Sequence, residues 1–394
     1  MVGGALSCDL VRRGFEVAVV EASQPPSEDD WEGFDLRVSA ISRSSERIFR
    51  SLGAWQGMCA RRVSPFREMH VWDSGSHGSI HFDSADIGEP LLGHIIENRV
   101  VVAALEDRLA ELDGVTWYRP SRLLTLERRG RTLHLGLDSV EIEADLVVGA
   151  DGAGSRVRSL AGMPCAVRDY GQRGLVATVK TALGHAETAW QRFLPTGPLA
   201  FLPLTGGYST IVWSAPSELV EALLARDEED FRTALADAFE GRLGTVEWVG
   251  ERAAFSLRRQ HAQAYVQPGI ALVGDAAHTV HPLAGQGANL GLLDAACLAE
   301  MLADARTRGR TAGELAPLRR YERWRKGHNL AMQAAMDGFK GLFGSPLAPL
   351  RLARGIGLNL TDGVVPAKRM FMRLAMGLAG DLPAIARHGE ATSG

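Results

Sequence analysis

The chain has 394 residues, 46% of them hydrophobic and 23% charged, and a net charge of -4, the balance of a globular protein long enough for two or three domains. No window of about 18 uncharged apolar residues is free of glycine or proline, which argues against a membrane-spanning helix, and the first residues lack the basic-then-apolar profile of a leader peptide. Cys8, Cys59, Cys165 and Cys297 are scattered without C-x-x-C spacing or metal-like pairing with histidine, so four reduced thiols and no metal site are expected.

A short glycine-rich start leads into a helical segment to Arg13 and then the apolar run GFEVAVVE from Gly14 to Glu21. A glycine turn, a helix and a second strand ending in an acid have the shape of a dinucleotide-binding βαβ unit, whose acid bonds an adenosine ribose. The unit is incomplete. Its first strand is missing, and of the G-x-G-x-x-G turn only the last glycine, Gly3, is represented, followed by Gly4. That strand normally lies near the middle of a parallel sheet. Its neighbours are therefore expected to have unpaired edges, and the working protein is expected to carry about ten further residues that supply it.

Residues 35–52 read as a loop entering a helix, with Ser44 or Ser45 near its cap. Residues 68–73 and 79–83 alternate like hairpin strands, and 98–112 have the period of an amphipathic helix. From Ala144 to Arg158 (ADLVVGADGAGSRVR) an apolar strand runs into an acidic, glycine-rich turn and an arginine-rich helix start. From about 166 to 267 the texture is strand-like, notably at 174–180, 199–204 and 208–214, with one helical insert at 217–240. This suggests an antiparallel sheet inserted into the nucleotide-binding domain.

The stretch GIALVGDAAHTVHPLAGQGANLG, from Gly269 to Gly291, is the most informative. An apolar strand, an acidic turn, a Pro/Gly loop and a helix start form a cradle for a flavin. Asp275 would accept hydrogen bonds from ribityl hydroxyls, and Gly285 and Gly287 would let the backbone approach a planar ring. The following helix would aim its positive end at the pyrimidine edge of that ring. Taken singly, Glu21 could cap a turn, and Asp151 and Asp275 could be helix caps. Together, three strand-end acids along one extended dinucleotide favour the flavin. Arg37 and Arg43 are candidates for its pyrophosphate or solvated helix-entry charges. His278 and His281 flank the loop, either as substrate contacts or as structural histidines.

The C-terminal quarter, from Met301 to Gly394, holds fifteen Lys and Arg against seven Asp and Glu, a net of +8 that leaves -12 for the first 300 residues. Met332, Met336, Phe339, Phe371 and Met372 are interleaved with these charges. Two readings follow: a basic amphipathic surface facing anionic lipid, or a terminal helix packing its apolar stripe on the protein.

Asp151 and Gly152 with Arg156 and Arg158, and Gly274 and Asp275 with Pro282, Gly285 and Gly287, resemble the two diagnostic motifs of the FAD-dependent aromatic hydroxylases, the family of p-hydroxybenzoate hydroxylase. The pieces LRVSAIS (36–42), LGHIIEN (92–98), AFLPL (200–204), AAHTVHPLAGQG (276–287) and LRRYERWRK (318–326) are similar to the ubiquinone-biosynthesis hydroxylases within it, above all the 2-polyprenylphenol hydroxylase branch. The resemblance spans essentially the whole chain. It implies an α/β fold: a discontinuous Rossmann-like FAD-binding domain (1–67, 91–165 and 266–340) with its first strand missing, an inserted substrate domain (68–90 and 166–265) and C-terminal helices (341–394).

The implied activity is a monooxygenase that uses FAD, with NAD(P)H as co-substrate and dioxygen, to hydroxylate the ring of a polyprenylphenol or quinol in ubiquinone biosynthesis. By the same resemblance Gly3 and Glu21 would serve the adenosine end, Arg37 and Asn98 the diphosphate and ribityl region, Asp151 both FAD and the nicotinamide groove, and Asp275 the ribityl chain. The loop from Pro282 through Gly285, Gln286, Gly287 and Ala288 to Asn289 would lie against the isoalloxazine, with His281 and Pro282 the residues expected nearest the reacting atoms. A cytoplasmic protein in peripheral contact with the inner membrane, in a ubiquinone-biosynthesis complex and without nucleic-acid partners, is expected. A halogenase is disfavoured because no two of the eight tryptophans form a W-x-W motif. The incomplete fingerprint leaves a second reading, a scaffold subunit of such a complex that lacks FAD.

Overall fold

The computed structural model describes residues 1–24, 31, 33–76, 78–279, 286–343 and 364–387. Helix α1 (Val2–Arg12) feeds strand β1 (Val17–Val20). Then come β2 (Val38–Ser42), α2 (Arg43–Leu52), α3 (Trp55–Arg61), β3 (Ser64–Phe66), β4 (Glu68–Asp73), β5 (Ser79–Asp83), β6 (Gly93–Glu97), α4 (Asn98–Ala110) and β7 (Val115–Tyr118). A small antiparallel sheet of β8 (Leu123–Arg129), β9 (Thr132–Leu137) and β10 (Glu141–Ala144) precedes β11 (Val147–Gly149) and α5 (Arg156–Leu160). The long strands β12 (Cys165–Thr181), β13 (Thr188–Leu194), β14 (Gly197–Pro203) and β15 (Tyr208–Pro216) follow, with α6 (Ser217–Leu224), α7 (Glu228–Ala238) and β16 (Val246–Ala262). The chain closes with β17 (Val266–Gln267), β18 (Ile270–Leu272), β19 (His278–Thr279), α8 (Gln286–Thr307), α9 (Leu315–Phe343), α10 (Val365–Ala375) and α11 (Ala384–Arg387).

The parallel part is in two pieces. β1 pairs with β7, β11 pairs with β18, and β1 and β11 are each the edge of their sheet among the described residues. α1 lies between two cores: Leu6 and Leu10 join the Ile270 to Leu272 strand, while Ala5 and Cys8 pack with Val101, Leu105 and Leu293. Its small residues permit this closeness. A Cβ on Gly3 would stand 3.2 Å from that of Ala150, and one on Gly291 would meet the Gly274 Cα at 3.1 Å.

The expected cap of α2 shifts to Ser42, which accepts from the Ser45 N–H at 3.4 Å. β2 runs straight into the helix, so the last strand residue, whose backbone is extended, takes the cap position. α4 ends at Ala110, two residues earlier than its periodicity suggests. The insert expected at 217–240 divides into α6 and α7 because Asp227 starts a new helix, accepting from the Asp230 N–H at 2.8 Å.

The eight-stranded sheet has the order β19-β16-β12-β15-β14-β13-β4-β5. It is antiparallel except where β13 meets β4 in parallel, which modifies the purely antiparallel expectation. One face buries Leu175, Phe201 and Trp213 beneath Phe231, Leu235 and Phe239 of the α6–α7 region. On the other face, Val71, Ile80, Phe82 and Phe193 pack with Leu92, Met372 and Met376, bringing in α10 and the segment before β6.

Candidate functional site

Strand ends supply the acids. Glu21, just past β1, accepts from the Ser23 N–H at 2.8 Å and lies close enough to the start of α1 to act on the Met1 ammonium. Asp275 sits in the single turn after β18. Solvent reaches its side chain, yet the surrounding protein raises its carboxyl above the usual range by desolvation, with His278 and Arg37 opposing the rise. An acid both accessible and crowded lies in a recess rather than in the interior. Arg37 is exposed and belongs to the same region: its N–H donates to Asp35 at 3.0 Å, and its carbonyl accepts from the Asn98 N–H at 2.9 Å. The Asn98 side-chain oxygen takes the Ser39 hydroxyl at 2.7 Å, which leaves the amide donors to point elsewhere.

Two candidates are occupied differently from expectation. Asp151 accepts from the Arg156 N–H at 2.6 Å, the Val157 N–H at 3.1 Å and the Ser155 hydroxyl, so its carboxylate is spent on the start of α5. The cap itself is Ser155, which accepts from the Arg158 N–H, and the exposed Asp151 braces the same turn from the loop before it. Asn289 is 3% exposed and bonds a strand edge, donating to Ala40 O at 2.8 Å and accepting from the Ser42 N–H at 3.0 Å. Its side chain fastens the first turn of α8 to β2, and through it Gly287 and Ala288, both half-buried. Gln286 opens that helix. His281, Pro282 and Gly285 lie outside the described residues. Arg43 pairs with Glu46 and, at 3.2 Å, with Glu89, which makes it a half-buried, ion-paired charge at the start of α2.

An elongated dinucleotide fits this arrangement. Glu21 and Asp275 stand at separate strand ends, the exposed positive charge of Arg37 acts on Asp275, Gly274 and Gly291 bring the turn after β18 and the start of α8 together beneath Val2 of α1, and Gly3 sets α1 against Ala150. A side chain on Gly291 would push Val2 and Gly274 away, and the positive φ of 57° at Gly274 itself favours glycine.

Sequence reasoning missed a buried polar network behind the recess. His278 is 1% exposed, and its Nε2 meets Asp294 at 2.5 Å; Asp294 also accepts from Arg325 at 2.8 Å, from Asn329 at 3.1 Å and from the Gly274 N–H at 3.2 Å. Burial opposes ionisation of Asp294, but His278 and Arg325 outweigh it and hold the carboxyl below its usual range. His278 is therefore structural. The signal was a ladder on α9: Tyr321, Arg325, Asn329, Gln333 and Asp337 recur every four residues. These residues bond in turn Leu272 O, Asp294, the carbonyls of Gln260 and Thr279, and Tyr170 with Arg259.

The comparisons with known proteins point the same way. A family model described as an FAD binding domain matches residues 1–336. The chain is 39% identical to the 3-demethoxyubiquinol 3-hydroxylase of Escherichia coli K12, covering 96% of each chain. It is also 39% identical to the ubiquinone hydroxylase UbiL of Rhodospirillum rubrum, over 96% of this chain and 87% of that one. Among solved structures it resembles p-nitrophenol 4-monooxygenase PnpA of Pseudomonas putida (TM-score 0.77, 17% identity, 95% of each chain). The probable FAD-dependent monooxygenase pqsL of Pseudomonas aeruginosa is similar too (TM-score 0.76, 23% identity, 91% of this chain and 97% of that one). At these identities the two structures speak to the fold.

Proposed function

As a member of the FAD binding domain family, among its ubiquinone-biosynthesis hydroxylases, this chain is a flavin-dependent monooxygenase, and we propose that it hydroxylates the ring of a polyprenylated phenol or quinol with NAD(P)H as donor. The observation that carries the reading is the recess at Asp275, a solvent-reached carboxylate at the start of a glycine-rich turn, faced by Arg37 and backed by the first turn of α8. Bound FAD supplies the redox chemistry, taking a hydride and activating dioxygen toward an electron-rich ring.

The residues hold and orient. Glu21 would bind the adenosine ribose, Arg37 and the free Asn98 amide the diphosphate region, and Asp275 the ribityl hydroxyls. The α8 N–H groups before Asn289 would favour negative charge on the ring edge beside them. Apolar strands of the large sheet would keep water from the reacting ring. The name of the 39% identical Escherichia coli relative favours a quinol over the simpler phenol expected from the motifs.

The test is spectroscopic. Purified protein should absorb near about 450 nm, and NAD(P)H should bleach the band faster when a short-chain prenylated phenol or quinol is present. A colourless protein that cannot be reconstituted with FAD would support the scaffold reading instead.

The same proposal includes a membrane contact. On and just before α10, Val364, Val365, Met370, Phe371 and Leu374 are exposed at 41–55%, interspersed with Arg369 and Arg373 and with no acid in the helix. No described helix is long and apolar enough to cross a membrane, so this helix would lie on an anionic surface.

A further inference from the structure

One row of side chains runs across the large sheet. The registers place Ile80 beside Val71, Val71 beside Gln191, Gln191 beside Ala200, Ala200 beside Val212, Val212 beside Val176, and Val176 beside Ala253. Directly paired residues share a face. The face is fixed by the neighbours of Gln191: Trp190 joins the cluster beneath α7, and Arg192 donates to Ala238 O at 2.6 Å, so both point to the opposite side. Gln191 therefore looks to the side of Val71 and Ile80, which pack with Met372 and Met376. Met376 O in turn accepts from Ser44 N at 3.2 Å, next to the β2 edge that Asn289 fastens to α8. The row thus lies on the flavin side of the sheet.

Six members of the row are apolar and one is an amide. Gln191 is 7% exposed, its side chain forms no hydrogen bond with another described residue, and its amide atoms are not among the sealed polar atoms, so what exposure it has reaches the amide. Its neighbours Ala200 and Val176 are buried as well, yet with Val212 and Ala253 they belong to none of the four apolar clusters. An amide that makes no protein hydrogen bond yet stays open to solvent keeps its donors and its acceptor available to a ligand. A flat strip of Val and Ala suits an aromatic ring, and one amide beside it suits one oxygen on that ring.

We propose that Gln191 is the residue that selects a hydroxylated ring: its side-chain amide hydrogen-bonds a ring hydroxyl of the substrate laid against Ala200, Val212 and Val176. This rests on the hydroxylase reading and adds the contact that distinguishes a phenol or quinol from a bare prenylated arene. A site built around such a bond rejects the analogue lacking the hydroxyl, because the amide is then left unpaired.

The test is calorimetric titration of the full-length, FAD-loaded protein with 2-prenylphenol and with prenylbenzene. Wild type should bind the phenol about tenfold or more tightly than the arene. In Gln191→Met, similar in volume, and in Gln191→Leu, the two affinities should come within about twofold, with FAD content and melting temperature unchanged in at least the methionine variant. A variant that keeps the wild-type preference would overturn the role of Gln191, as would a wild type that binds both compounds equally. A wild type that binds neither would instead overturn the hydroxylase reading beneath it, and the proposal with it.

Discussion

Asp275 and Asp294 are two carboxylates on one structural unit with opposite fates. Crowding raises the first despite the opposing pull of His278 and Arg37, while His278 and Arg325 hold the second ionised in the interior. Replacing Asp275 by Asn should leave the fold intact and lower the FAD-to-protein ratio of purified material about tenfold, read from absorbance. Retention of full flavin would remove Asp275 from the cofactor site. Replacing Asp294 by Asn should act on stability, because it strands the Arg325 guanidinium and His278 in the interior; a loss of about 3–5 kcal/mol in urea unfolding is expected. A loss below about 1 kcal/mol would show that the network carries little.

At the scale of elements, β6 places His94 against Glu46 of α2, 3.5 Å away, and edge-on to Trp55 of α3 at 4.9 Å between ring centres. Burial holds His94 down to about 4, with Glu46 only partly opposing, and His261 on β16 is likewise held to about 4 by burial. A histidine whose folded value lies below its unfolded 6.5 binds more protons unfolded than folded between the two. Stability is therefore complete above about pH 6.5 and falls as pH drops toward 4. Melting temperatures measured across that window should fall, and His94→Phe should flatten part of the slope; an unchanged slope would contradict the assignment.

Local patterns made the hairpin strands at 68–73 and 79–83 legible residue for residue, because alternation is a nearest-neighbour signal. The strands whose ends carry Glu21 and Asp275 were legible from their apolar runs. The bonds of Asn289 and Asp294 were not, because their partners lie 247 residues upstream and 31 residues downstream, and only packing brings them together. The parallel contact between β13 and β4 is hidden for the same reason: nothing in either strand marks its neighbour.

Across the whole molecule, α9 ties β18 to the large sheet through its polar ladder, and α10 closes the far end of that sheet while presenting an apolar, basic outer face. Changing Met370 and Leu374 to Ser should reduce co-sedimentation with phosphatidylglycerol vesicles several-fold and leave hydroxylation of a short-chain, water-soluble substrate unaffected. Equal sedimentation of variant and wild type would place any membrane contact elsewhere. The central claim is that this chain transfers oxygen from dioxygen to a prenylated aromatic ring. Incubating the FAD-loaded protein with NAD(P)H, a short-chain prenylated quinol and isotopically heavy dioxygen, followed by mass analysis, tests it most directly. A ring product carrying one heavy oxygen atom is expected; NAD(P)H consumption with an unmodified ring, or a product whose oxygen comes from water, would contradict it.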